Sequence, residues 1–395
     1  MPVIDVDSHF MEPMDWLEVT APRLAEQIAP PVTFFNFMRS GQAAATVRLP
    51  EELRPEDPAD LMAPGFRRLM EELSDLQPAA YAAASDDPFY AGAARVQELD
   101  VQGVDVQFLN FTYASGATLR AMQAGRMDLF ADIQAAYNTF ASNMVEGYSD
   151  RLLPVCRMDI SNIDWCVAEL TRMRARGSRA FWVLQDDEKS LSHPDYDRMW
   201  SAAEDLGMIA YVHVFFSRGG APPHKSWANN GRGLKAYQEG VTGADARADI
   251  KGFLNAMVFD GVLERHPRLN VIIAECGYSW FLPMVFEFDN RTKGMFADGT
   301  PQESFYKLPL EPSEYLARQV KISPLAGAVD NGDEFFTVAD MLERLPDPDM
   351  FVYSSDYPHI EGRQHAKKLF EAELPADDTI RERFYGGAMA EVLGS

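Results

Sequence analysis

The chain has 395 residues, of which 47% are hydrophobic and 11% aromatic, and carries a formal net charge of -24. That composition fits a globular enzyme and argues against disorder, while the charge opposes capture by nucleic acid or by an anionic membrane surface. Three cysteines (Cys156, Cys166 and Cys276) form no close Cys-x-x-Cys pair, so neither a disulfide framework nor a zinc-finger pattern is expected. No signal peptide and no bilayer-length apolar run stand out, so the expectation is a cytoplasmic protein, with a homodimer as the commonest assembly.

The first predicted element is a strand at Val3-Ile4-Asp5-Val6-Asp7-Ser8-His9. Alternate residues of a strand share a face, so Asp5, Asp7 and His9 project to one side. Two carboxylates and an imidazole are costly to bury unless paired, hydrogen-bonded or metal-bound; a solvated acidic edge is the other reading. Residues 11–100 are rich in Pro, Ala and acidic residues, with helical pieces such as 66–76 and no clean strand. They read as an insertion after the first strand, either a lid over the site or a subunit interface.

From residue 95 onward the pattern becomes regular. Strands are expected at 104–110, 152–160, 178–184, 208–216, 269–275, 319–323 and 350–355. Helices are expected at 127–148, 164–176, 195–206, 246–265, 280–290 and 338–345, with Gly207 closing the third. Eight strands alternating with helices predict an α/β fold, a (β/α)8 TIM barrel forming a single domain over 1–395. A doubly wound open sheet is the alternative, weakened because no Gly-rich phosphate turn follows a strand.

Ligand-type residues fall at the carboxyl ends of these strands, where such a barrel builds its site. His213 lies on strand five, Glu275 ends strand six and Asp356 ends strand eight, so that with Asp7 and His9 five groups converge on one rim. His193, His266 and His365 lie before helices or on them and read as structural. Arg218, Lys225, Arg232 and Lys235 form a basic cluster in a Gly/Pro loop; they are either a solvated loop or a site for a carboxylate.

These motifs resemble the amidohydrolase superfamily, in particular the amidohydrolase-related branch of metal-dependent decarboxylases. The likeness is carried by Val6-Asp7-Ser8-His9-Phe10-Met11-Glu12-Pro13, by Ala274-Glu275-Cys276-Gly277-Tyr278-Ser279-Trp280 and by Ser355-Asp356-Tyr357-Pro358-His359, in order along the whole chain. The departures are chemical. Asp7 replaces the first histidine of a His-x-His pair, Glu275 stands where a histidine is common, and strand four ends in Leu184-Gln185 with no lysine to become a carbamate.

A site rich in carboxylate resembles that of the TIM-barrel nonheme dinuclear iron monooxygenases. This resemblance implies two divalent ions, iron first or iron with manganese, and hydroxylation of an unactivated carbon of a small organic or CoA-linked substrate with dioxygen and an electron donor. Asp7, His9 and Asp356 would bind one ion, Glu275 would bridge, and His213 with His359 or His224 would hold the second; Glu361 is a further donor within reach. Glu275, His213 and Asp356 are the catalytic candidates. The same cluster of basic residues would then meet the phosphates of a CoA thioester.

The alternative implied by the same family is a mononuclear decarboxylase or hydrolase. One Zn or Mn would sit on Asp7, His9, His213 and Asp356, with Glu275 as acid/base and Asp5 orienting the ligands. A third reading is a noncatalytic barrel subunit of a hetero-oligomer.

Overall fold

The computed structural model describes residues 1–28, 34–47, 51–62, 67–68, 71, 92–184, 189–214, 244–293, 307–325, 335–359 and 365–394. Its centre is a seven-stranded parallel sheet in simple sequence order: β1 (Ile4–His9), β2 (Val106–Asn110), β3 (Leu152–Arg157), β4 (Ala180–Trp182), β5 (Ile209–His213), β6 (Val271–Ala274) and β7 (Val320–Ile322). All but one of their residues, Val106, are buried; β4, β5 and β6 accordingly read as near-continuous apolar runs, whereas β1 alternates and buries its carboxylates on one face. Helices cover the crossovers, among them Phe130–Met144, Ile163–Ala175, Asp197–Leu206 and Phe281–Thr292.

Two registers matter for the site. Arg157 pairs with Trp182 across β3 and β4, and Trp182 with Tyr211 across β4 and β5, so the three side chains share one face of the sheet. Tyr211 and His213, two apart on β5, share that face as well. On β1 the register to β2 shifts between Asp5 and Ser8, an irregularity beside the ligand-type residues.

The expected eighth strand is corrected. Residues 350–355 form no ladder; Phe351 bridges only to Ile322 of β7 and Tyr357 only to Ser8 of β1. The reason lies in the hydrogen bonds, which change partner along the segment. Val352 N donates to Ile322 O at 3.0 Å, Val6 N to Tyr353 O at 3.1 Å, Asp356 N to Asp7 O at 2.7 Å and His9 N to Tyr357 O at 2.8 Å. The segment thus joins β7 to β1 without extending either pairing.

The expected helix 246–265 divides into Ala244–Phe259 and Val262–Arg265, because Gly261 takes a left-handed φ of 75°. Gly207 does close its helix in the left-handed conformation, with φ 60°. Within 11–100 the described residues form the short helices Trp16–Thr20 and Pro22–Ala25, the longer ones Phe34–Val47 and Gly92–Gln102, and no strand. Of the expected helix 66–76 only 67, 68 and 71 are described.

One hydrophobic cluster runs from Ile4 on β1 to Met389 near the carboxyl end. The terminal segment is locked against the start of β1: a Cβ on Gly386 would lie 1.9 Å from the Pro2 carbonyl oxygen, so only glycine permits this approach. Among the described residues no helix is long and apolar enough to cross a membrane.

Candidate metal centre

β1 delivers Asp7 and His9, β5 delivers His213, and the turns after β6 and after residues 351–355 deliver Glu275 and Asp356. Asp7, His9, His213 and Asp356 are each at most 5% exposed. Among the described residues only Glu275 and Asp356, besides glycines, have positive φ, both 53°. A non-glycine residue in this region costs on the order of 1–3 kcal/mol, a cost kept where the surroundings fix a side chain for a purpose. Here that strain aims two carboxylates at the same point.

The distances are short. His9 Nε2 lies 3.6 Å from Asp7 Oδ1 and 3.2 Å from Asp356 Oδ1, and His213 Nε2 lies 3.5 Å from Asp7 Oδ1 and 3.0 Å from Glu275 Oε2. His359 Nδ1 lies 3.1 Å from Asp356 Oδ1, and its ring stacks on His9 at 3.8 Å between centroids. Donor atoms of Asp7, His9, His213 and Glu275 fall within 4.8 Å of one another, as do those of His9, Glu275, Asp356 and His359. His224 lies outside the described residues, as do Glu361 and the basic cluster Arg218, Lys225, Arg232 and Lys235.

The surroundings orient each group. His9 Nδ1 is 2.8 Å from Phe111 O, and His213 Nδ1 is 3.1 Å from Val214 O, so each ring turns Nε2 into the cluster. His359 Nε2 is bonded to Thr112 Oγ1 at 2.9 Å. Asn110 Nδ2 donates to Asp7 Oδ1 at 2.9 Å, and the Tyr211 hydroxyl lies 2.8 Å from the same oxygen. Asp5 accepts from Ser355 Oγ at 2.6 Å, Ser355 N at 2.9 Å and Gln107 Nε2 at 2.7 Å, holding the residue next to Asp356. Burial pushes the Asp5 carboxyl up to about 6.

A cation fits this arrangement. Asp7 Oδ2, His9 Nε2 and His213 Nε2 are buried and make no hydrogen bond among the described residues, a costly state for three polar atoms unless a further group meets them. Burial, with His359 and His213 beside it, holds the His9 imidazolium well below its ordinary range, so His9 presents a neutral donor nitrogen. Burial lowers His213 too, but the carboxylates of Asp7 and Glu275 outweigh it and hold His213 well above the ordinary value. That is a site that wants positive charge between imidazole and carboxylate. Imidazole with carboxylate suits a divalent metal ion.

Of the sequence candidates, Asp7, His9, His213, Glu275, Asp356 and His359 come together. Sequence reasoning missed Asn110, Tyr211 and Thr112, which hold the ligands in place. Tyr211 had a signal, since it lies two residues before His213 on the same strand face. Asn110 and Thr112 had none beyond their position at the end of β2.

A seven-stranded parallel sheet with imidazole and carboxylate gathered at one rim defines a metal-dependent α/β enzyme. The chain belongs to the amidohydrolase family, whose model matches residues 4–394. Solved structures share the fold over the whole chain: an amidohydrolase from Mycobacterium avium subsp. paratuberculosis K-10 (18% identity, TM-score 0.69, 100% of this chain and 99% of that one) and 2,6-dihydroxybenzoate decarboxylase from Rhizobium (16%, 0.62, 100% and 99%). A dihydroxybenzoic acid decarboxylase from Polaromonas with bound manganese and the inhibitor 2-nitroresorcinol is also similar (14%, 0.60, 100% and 97%). No curated protein sequence matches.

These likenesses overturn the expectation of a dinuclear iron monooxygenase, and with it the oxidoreductase chemistry. The relatives are decarboxylases and amidohydrolases, and one of them holds manganese. His9 belongs to both donor groups and, with its Nδ1 facing a carbonyl, offers Nε2 alone to either.

Proposed function

We propose that this chain is a metal-dependent decarboxylase of aromatic carboxylic acids, using one manganese or zinc ion held by Asp7, His9, His213 and Asp356. We read the segment 351–357 as closing the sheet into a barrel whose mouth is this site, with residues 11–100 covering it as a lid or an interface. The observation that carries the proposal is the pair of overlapping donor groups that share His9 and Glu275, in which imidazole nitrogens lie beside strained carboxylates.

When bound, the ion supplies Lewis acidity toward a substrate oxygen and fixes the substrate's position. The protein's own part is proton handling. Glu275, 13% exposed in its side chain and 3.0 Å from His213, is the group placed to give a proton to the ring carbon that bears the carboxylate. The carbon–carbon bond then breaks, its electron pair restores the ring, carbon dioxide leaves, and Glu275 recovers a proton from solvent. Phe111 and Trp182, 3.9 Å apart between centroids, and Trp182 and His213, 5.8 Å apart, make an aromatic wall beside the cluster that suits a flat substrate.

The test is carbon dioxide release from a panel of hydroxybenzoic acids by protein loaded with manganese, and again after chelation. Release that stops on chelation and returns with one equivalent of metal supports the proposal. Hydrolysis of esters or amides with no carbon dioxide would move the reading to a hydrolase. A metal-loaded chain inert toward both would leave the noncatalytic subunit standing.

A further inference from the structure

Arg157, the last residue of β3, is 5% exposed, and among the described residues no carboxylate lies within ion-pair distance of it. A buried guanidinium without an anion is expensive. Its hydrogen bonds go to neutral hydroxyls, Nη1 to Ser115 Oγ at 2.9 Å and Nη2 to Thr118 Oγ1 at 3.3 Å. These use two of the five N–H donors of a guanidinium. Besides these it meets rings, Phe111 at 3.9 Å, Trp182 at 5.5 Å and Tyr137 at 6.0 Å, and the buried Glu12 carboxyl acts on it from beyond ion-pair distance.

A second group beside it is also unmatched. The Trp182 indole N–H is buried and has no hydrogen-bond acceptor among the described residues, and Trp182 is 7% exposed. The pairing of Arg157 with Trp182 and of Trp182 with Tyr211 puts both on the face of the sheet that carries His213. The Trp182 ring neighbours both the Arg157 charge and the metal-ligating cluster, its centroid 5.5 Å from the guanidinium carbon and 5.8 Å from that of His213.

We infer that Arg157, with the Trp182 N–H, forms an anion subsite for a second acidic group on the substrate, so that the substrate class is an aromatic dicarboxylate. This rests on the reading of the site as one for aromatic carboxylic acids. One carboxylate goes to the metal cluster, the ring lies along Phe111 and Trp182, and the other carboxylate meets the guanidinium, whose fork matches it. A neutral substituent at that place would leave the buried cation unmatched, which is how the subsite selects.

The experiment is calorimetric titration of the manganese-loaded protein with isophthalate, its neutral analogue 3-carbamoylbenzoate, and benzoate. Isophthalate should bind at least about tenfold more tightly than 3-carbamoylbenzoate, the order expected of a charge-assisted pair in a buried site. R157Q should bring that ratio close to unity while leaving benzoate affinity in place, and R157K should restore part of it. No preference in the wild type overturns the inference, and that comparison needs no variant to fold. A folded R157Q that keeps the preference overturns it equally. The readout is binding rather than turnover. A preserved preference with no carbon dioxide released from any acid would therefore sink the decarboxylase and leave the subsite.

Discussion

The Tyr211 hydroxyl lies 2.8 Å from Asp7 Oδ1, and Asn110 Nδ2 donates to that oxygen from the other side at 2.9 Å. Oδ1 is thereby engaged and Oδ2 is left buried without a hydrogen bond among the described residues. Y211F should keep the fold, since the ring remains, and weaken manganese binding by about tenfold, the usual scale for losing a group that orients a ligand. Competition with a chromophoric chelator measures this; unchanged affinity would show that Asn110 alone suffices.

Glu275 and Asp7 should separate in their variants. D7A is expected to lose stoichiometric metal, whereas E275Q keeps about one equivalent and loses turnover by 10²–10⁴-fold, the range for a general acid. Metal analysis beside rate measurement decides it. An E275Q protein that comes out of purification metal-free would make Glu275 a ligand instead.

Glu12 supplies a pH-dependent term. It is fully buried and accepts backbone N–H groups of Thr112, at 3.1 Å, and Tyr113, at 2.7 Å, fixing the turn after β2 that also holds His359 through Thr112. Burial pushes its carboxyl from the ordinary 4.5 up to about 7. The folded state therefore holds this proton more tightly than the unfolded chain does. The contribution is fully present below about pH 4.5 and is lost as pH rises through about 7. Relative to E12Q, the wild type should lose on the order of 3 kcal/mol across that window. Urea midpoints of the two proteins at pH 4.5, 6 and 8 test the sign.

Gly386 locks the carboxyl-terminal segment to the first strand. With Pro2 O only 1.9 Å from a Cβ built there, G386A must push β1 and the terminal helix apart, at a cost of about 1–3 kcal/mol or more. Thermal unfolding should show it, and metal affinity should fall with it, because Tyr353 N bonds Phe384 O in the same segment and so links it to Asp356.

The sequence by itself determined which ligand-type residues gather at the candidate site and where most of the strands that carry them end. Asp7 and His9 at i, i+2 on β1, His213 closing β5, Glu275 just past β6 and Asp356 just past the apolar run 350–353 are local patterns, because strand alternation and buried β-branched runs are written in consecutive residues. Tertiary structure decided which atoms those residues offer. His9 Nδ1 faces the carbonyl of Phe111, 102 residues away, and that contact leaves a single donor for two overlapping groups. It also decided that 350–355 join two strands rather than make one, since their partners sit at opposite ends of the chain. The exposed polarity of an arginine in a strand says nothing about charge balance. Only the packing of Phe111, Tyr137 and Trp182 around Arg157, with no carboxylate within ion-pair distance among the described residues, makes it a candidate for binding an anion, because desolvation is a property of the fold and not of the residue.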